Sequence, residues 1–445
     1  MARIFPFRGL RYNPSKVALG EVVTQPYDKI TPQMQDRYYT DSPYNLVRII
    51  LGKPRTGDQE GENVYTRAAA FMQEWRQDGV LTSDAEPSIY LYTQTFRVPG
   101  DSSGPVLERR GFIALGQLED YDQKVVFRHE QTLSKPKADR LNLLQATQTH
   151  FGQLFMLYSD PAAEIDAALR QSGPPTAEVR DEYDVLHRMW KISDSAILQA
   201  VQAKMTDKKL IIADGHHRYE TALNYRNQMR KQAGSRSIEA YERVMMTFVN
   251  MDASGLVILP THRVVFGLES FSIFDMVAKL QVNFEVEDLG PLAEIGASVA
   301  RLHHAGKDGT ALLAITSHGG FLLRSRPGAK WTGPPDVSEQ QRALDVVKLH
   351  KLVLEGALGL SEEDIRDQKH LRYVRDAHEA VSQIGQGANV AFIMNPVSMQ
   401  QMRDVAFGGE VMPQKSIDFY PKLLSGLVAY SLEEAKQEAP VEVTR

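Results

Sequence analysis

The sequence predicts a mixed α/β protein of two or three domains, on three observations. Its 445 residues exceed what one ordinary core accommodates. Short apolar runs bounded by glycine and proline alternate with amphipathic helical stretches over most of the chain. Hydrophobic residues make up 42% and charged residues 24%, which is ordinary globular composition. No apolar run approaches the length that spans a bilayer. The first residues, MARIFPFRGLRYNP, lack the apolar core and cleavage site of a signal peptide. The absence of cysteine excludes a disulfide framework, a thiolate metal site and a cysteine nucleophile, and fits a cytoplasmic protein. A net charge of −5 gives no global field towards nucleic acid.

The elements follow in order. TQPYDKI, residues 24–30, follows a short apolar run, and Pro26 fixes the direction in which Tyr27 and Asp28 are presented. Asp28 reads either as a cap for a helix starting near Thr31-Pro32 or as a contact residue. Residues 45–52, NLVRIILG, read as a buried strand, and residues 63–78 as an amphipathic helix with Tyr65, Ala69, Met72 and Trp75 on its apolar side. Residues 88–97 and 110–117 form a hairpin across a Gly/Ser/Pro turn. A short strand at 124–127 leads into Arg128-His129-Glu130 and a charged helical stretch. Residues 151–158 read as a strand and 161–171 as a helix.

Residues 208–220, KKLIIADGHHRYE, hold the densest chemistry. An apolar run ends in Asp214-Gly215-His216-His217-Arg218, and a helical pattern opens directly behind, a helix from about Arg218 to Gln232. A strand, tight turn and helix N-terminus aim unbonded N–H groups and a positive dipole end at whatever lies in front, which suits phosphate. Gly215 permits the turn and a close approach by a ligand. Two histidines and an arginine at the positive end of a helix are costly without an anion. Neighbouring histidines on one loop rarely bind one ion together, so zinc hydrolysis is the weaker reading.

Beyond this turn, residues 243–250 read as a buried strand. Residues 256–265 read as a strand interrupted at Pro260, an edge or bulge that would turn Thr261, His262 and Arg263 out of the ladder. Residues 271–324 follow a helix, strand, helix, strand, strand pattern, and 326–338 form a linker. Residues 344–360 form an apolar helix ended at Gly359, with SEED capping the next turn. The tail is read as helix at 374–384, strand at 389–394, helix at 397–407 and strand at 427–432, with residues from 433 onward frayed. The domain division is 1–268 as a core carrying the turn, 269–330 as an inserted smaller α/β subdomain, and 331–445 packing back on the core.

Neither a Walker A sequence, nor a Rossmann glycine pattern, nor a G-x-S-x-G elbow is present. Phosphoryl transfer needs positioning and charge neutralisation rather than covalent chemistry. His216, His217, Arg218 and backbone amides would hold phosphate, and Glu130 is the candidate base. Thr261-His262-Arg263 and Met412-Pro413-Gln414-Lys415-Ser416 read equally as structural segments or as parts of a site.

The segments TQPYDKI, NLVRIILG, FRHEQTLSKPKADRL, ADGHHRYETAL, LPTHRVV and MPQKSIDFYPKLLSGLV, in that order, resemble a widespread bacterial family catalogued as a domain of unknown function. The likeness runs from about Phe5 to Leu432. ADGHHR also resembles the D-G-x-H-R turn of the ParB–sulfiredoxin superfamily, whose members bind nucleotide phosphates there and include a free-serine kinase. That resemblance implies a ParB/sulfiredoxin-like core with an accessory α/β layer. It implies a small-molecule kinase acting on a hydroxyl such as that of free L-serine, with ATP or ADP and Mg²⁺. The carried-over roles are catalytic for Glu130, His217 and Asp214, with Asp214 also as a magnesium ligand. Gly215, His216, Arg218, Arg128, His129 and Lys415 would bind nucleotide phosphate. Tyr27, Asp28, Thr261, His262 and Arg263 would contact substrate. The alternative is a non-catalytic, CTP-type nucleotide switch. Partners are then a nucleotide and a small molecule, without membrane or nucleic acid.

Overall fold

The computed structural model describes residues 1–437 except 102, 133, 171–172, 234–238 and 292–293. The chain folds into two compact units. The first comprises Met1–Phe127, Thr132–Val257 and Pro421–Arg445; the second comprises Arg128–Gln131 and Ile258–Tyr420. Both mix helices and sheets, as the sequence predicts.

The first unit is built on a nine-stranded mixed sheet. Its order is Val126–Phe127, Leu210–Asp214, Leu154–Tyr158, Arg243–Asn250, Leu107–Gln117, Ile89–Phe96, Leu186–Ile192 and Ala177–Arg180, with Ile4–Phe5 also pairing Leu107–Gln117. The strands are apolar and β-branched or aromatic, and Leu154, Met156, Tyr158, Ile212, Met246 and Phe248 interleave in one core. The expected hairpin is present, with Tyr90 opposite Ile113 and Thr95 opposite Glu108. A second core gathers Trp75, Met72, Leu46, Ile49, Ile50 and Leu143 under the helices Val64–Gln77 and Ser134–Thr147. Asn63 caps Val64–Gln77 in a reciprocal capping box with Thr66.

The segment NLVRIILG is a helical turn, Val47–Ile50, and not the strand read from sequence. Val47, Ile49 and Ile50 are all buried, so the run carries no periodicity to separate strand from helix. Asn45 decides it: its Oδ1 accepts from the Val47 N–H at 3.0 Å while its Nδ2 donates to the Glu21 carbonyl at 2.7 Å.

The second unit is a six-stranded sheet in the order Phe284–Gly290, Gly320–Ser325, Ala311–Ile315, Ala388–Met394, His262–Phe266 and Leu371–Val374. The helix, strand, helix, strand, strand run from 271 to 324 is seen as Ile273–Leu280, Phe284–Gly290, Ile295–Ala305, Ala311–Ile315 and Gly320–Ser325. Pro260 does break the strand, leaving Val257–Leu259 and His262–Phe266. The consequence differs from the expectation. His262–Phe266 is an interior strand, paired on both sides, so Thr261, His262 and Arg263 are buried rather than turned outwards. Residues 371–374 form a strand against it, and the helix read from 374 is Ala377–Ser382, started by the Asp376 cap.

The apolar helix at 344–360 is Asp345–Lys348 running into a π-helix, Leu349–Ala357, ended at Gly359 with φ +73°. Ser361 of SEED caps the next turn, accepting from Asp364 N. At the C-terminus only Tyr430–Ser431 is strand, and Leu432–Gln437 is helical where fraying was expected; residues 438–445 lie outside the described residues. Among the described residues no helix is long and apolar enough to cross a membrane.

Candidate functional site

The strand Leu210–Asp214 ends at Gly215, and the helix His216–Ala233 begins on the next residue. Gly215 has φ +100°, and a Cβ there would lie 2.9 Å from Leu154 Cδ2 and 3.1 Å from Arg218 Nη2. Only glycine fits this turn without strain. The helix thus opens at His216 itself, earlier than the sequence pattern showed, and its first N–H groups have no partners within the helix. His216 is buried, and His217 and Arg218 are half-buried.

Asp214 stands among cations. Lys422 Nζ donates to its Oδ2 at 2.6 Å, and Arg218 Nη2 lies 3.3 Å from its Oδ1. Burial pushes the Asp214 carboxyl up, but Lys422, Arg218 and Lys29 outweigh it and hold the group well below the usual carboxylate range. Three cations thus act on the one carboxylate of Asp214 at this end of the helix. Arg218 is itself fixed through a hydrogen bond from Nη1 to the Gln153 carbonyl.

Lys422 was not singled out by sequence reasoning, although FYPKLL belongs to a motif that was. Its position is braced by a buried polar network. Gln94 Nε2 donates to the Lys422 carbonyl at 2.8 Å, and Arg109, fully buried, donates to Gln94 Oε1 and to the Pro421 carbonyl. His187 continues the network, with Nδ1 2.6 Å from the Tyr92 hydroxyl and Nε2 3.1 Å from Asp181 Oδ2. Asp181 also accepts from Gln25 Nε2 at 3.0 Å, beside the PYD segment. Satisfied networks of this kind rigidify what they hold.

Pro26 introduces a short 3-10 turn, Tyr27–Lys29. The cap of the following helix is Thr31, which accepts from Met34 N at 3.2 Å with Pro32 in the first turn, so Asp28 is not the cap. Asp28 is exposed. Tyr27 carries the Arg140 guanidinium over its ring at 4.1 Å. Burial raises the Tyr27 hydroxyl's pKa, with Asp28 adding and Arg140 and Arg218 opposing. Tyr27, Arg140 and Arg218 line a cavity of about 70 Å³ with Leu143 and Phe151. The cavity accommodates a few waters or one small polyatomic group. The charged stretch after RHE is spent locally, since Lys137 Nζ meets Glu220 at 2.9 Å and Arg140 meets Asp139 at 2.6 Å.

The remaining predicted residues belong to the second unit, where three motifs converge. Glu130 bridges to Met412, and Met412 N donates to the His129 carbonyl at 2.8 Å. Lys415 N lies 3.4 Å from Glu130 Oε1, and Arg263 Nη2 donates to the Lys415 carbonyl at 3.2 Å. Lys415 makes these contacts with its backbone, in a left-handed conformation of φ +57°, and the residue is exposed. Arg128 is exposed and His129 buried. His262 Nδ1 accepts from Met394 N at 3.2 Å; burial and then Arg263 lower its pKa to about 4, so it is neutral at pH 7. RHE, THR and MPQKS therefore share one unit, and PYD, ADGHHR and the PKLL stretch from Pro421 the other.

Several solved structures resemble the chain. A conserved hypothetical protein from Pyrococcus furiosus is 14% identical, with 73% of this chain and 97% of that one covered and a TM-score of 0.36. A free serine kinase variant in complex with ADP is 13% identical, covers 73% and 93%, and has a TM-score of 0.37. C-terminally truncated SbnI from Staphylococcus aureus is 12% identical, covers 74% and 91%, and has a TM-score of 0.34. No curated protein matches the chain. Residues 4–347 match the family described as Protein of unknown function (DUF1015), and the chain belongs to that family.

Proposed function

We propose that the protein is a phosphotransferase that binds nucleotide phosphate at the turn Asp214–Arg218 and passes a phosphoryl group to the hydroxyl of a small molecule such as free L-serine. One observation carries this reading: the opening N–H groups of a long helix follow Asp214, whose carboxylate is held ionised by Lys422, Arg218 and Lys29 together. That grouping of cations suits a polyphosphate better than a neutral ligand.

In the proposed reaction the bond between the γ-phosphorus and the ADP oxygen breaks as a bond to the acceptor oxygen forms. ADP leaves, and Glu130 takes the acceptor's proton. His217 and Arg218 neutralise charge on the transferred group. Asp214 does not fit the role of magnesium ligand, because Lys422 occupies its Oδ2 and Arg218 faces its Oδ1. Its proposed part is to orient those two cations; magnesium would arrive with the nucleotide.

Purified protein incubated with ATP or ADP, Mg²⁺ and L-serine is expected to form phosphoserine, detected by mass spectrometry. No product above the His217→Ala background with either donor would remove the serine kinase reading. Saturable nucleotide binding with no turnover would favour the switch instead.

A further inference from the structure

The second unit has a cavity of about 320 Å³ that the phosphate turn does not explain. Its wall includes His350, Lys351, Glu355, Tyr373, Gln131 and Gln414. Volume in this range accommodates a small organic molecule.

Two buried nitrogens near it, His350 Nε2 and Arg263 Nε, lack hydrogen-bond partners among the described residues. His350 is only 4% exposed, and its Nε2 has no hydrogen-bond partner. It sits on the π-helix Leu349–Ala357, a backbone form that costs regular hydrogen bonding and recurs at functional sites. Tyr373 is half-buried on the cavity wall; burial raises its pKa, with Arg263 opposing and Glu130 adding, so its hydroxyl is a neutral donor at pH 7. Arg263 stacks on the Tyr373 ring, its Cζ 5.3 Å from the centroid. Its two terminal nitrogens reach the carbonyls of Thr261 and Lys415, while its Nε is buried without a partner.

No described carboxylate pairs with Arg263, although the residue is 1% exposed. A buried guanidinium without a counter-charge is costly. Its field is felt inside the cavity wall, where burial, Arg263 and Lys351 together keep His350 neutral. The outer wall differs in sign. Lys351 is matched there by Glu355 at 2.9 Å and Glu362 at 3.8 Å, and Asp336 and Arg366 lie on the same wall, three carboxylates to two cations.

We propose that this cavity is a binding site for a small monocarboxylate, its carboxylate held by Tyr373 and His350 in the field of Arg263 and its neutral or cationic end towards Glu355 and Glu362. A dianion is disfavoured because carboxylates outnumber cations on that wall, and both terminal nitrogens of Arg263 are already engaged, so no free guanidinium fork awaits phosphate.

Isothermal titration with propionate, glycine, succinate and inorganic phosphate tests the site on the intact protein. Propionate or glycine is expected to bind saturably, and succinate and phosphate at least about tenfold more weakly. Tyr373→Phe and His350→Gln should each weaken the monocarboxylate about tenfold, while Arg218→Met leaves it unchanged. Loss of nucleotide binding in Arg218→Met with carboxylate binding intact separates this site from the phosphate turn. The proposal is overturned by absence of saturable binding of both monocarboxylates, by equal binding of phosphate, or by affinities that neither Tyr373→Phe nor His350→Gln alters.

Discussion

Replacing Lys422 with methionine is expected to destabilise the first unit by about 3 kcal/mol. The change removes the 2.6 Å partner of Asp214 and leaves a mostly buried carboxylate with weaker neighbours. The figure is at the lower end for breaking a buried pair because the Asp214 side chain keeps 22% of its exposure. Adding Asp214→Asn to Lys422→Met should recover part of the loss, since an amide needs no counter-charge. Tryptophan fluorescence during urea unfolding reads this out. Two of the three tryptophans, Trp75 and Trp190, lie in the first unit, so a Trp331→Phe background isolates the signal.

The same pair fixes a pH dependence. The folded pKa of Asp214 lies below its unfolded value of about 3.9. The stability it contributes is therefore fully present above about pH 4 and is lost as pH falls towards the depressed folded value. Wild-type stability should decline below about pH 4 more steeply than that of Lys422→Met. Acid-unfolding profiles of equal slope in the two proteins would show that Lys422 does not hold the carboxylate ionised.

Glu130→Gln is expected to lower the turnover of phosphoryl transfer by about 10² to 10⁴ and to leave nucleotide affinity nearly unchanged. Glutamine keeps an oxygen acceptor for the Lys415 N–H, so the local bridge between residues 130 and 412 survives. Turnover equal to wild type would remove Glu130 as the base while leaving the phosphate turn intact.

The long periodic elements were legible in the sequence, and so was the strand–turn–helix at Asp214. Helix Val64–Gln77, the hairpin and the run from 271 to 324 each carry a clear period or a turn signal. NLVRIILG failed because burial on all sides erases periodicity, and the deciding contact, Asn45 to Glu21, is not local. Residues 260–263 failed differently. Proline marks where a ladder breaks but says nothing about the two neighbours that cover His262–Phe266. Within the site, the turn's glycine and cations could be read directly. Lys422 could not, since its alignment depends on Gln94 and Arg109, which lie in distant strands much earlier in the chain. His350 and Tyr373 were equally invisible, because a π-helix and an unpaired buried donor are tertiary facts.

Under the proposed function the turn Asp214–Arg218 holds nucleotide phosphate. Calorimetric titration of ADP, with Mg²⁺ in excess, into wild type and Arg218→Met tests it most directly. Saturable binding by the wild type is expected, weakened about 10- to 100-fold in the variant with its circular dichroism preserved, the loss of charge-assisted hydrogen bonds to phosphate. Equal affinity in the two proteins, or no ADP binding by the wild type, would contradict it.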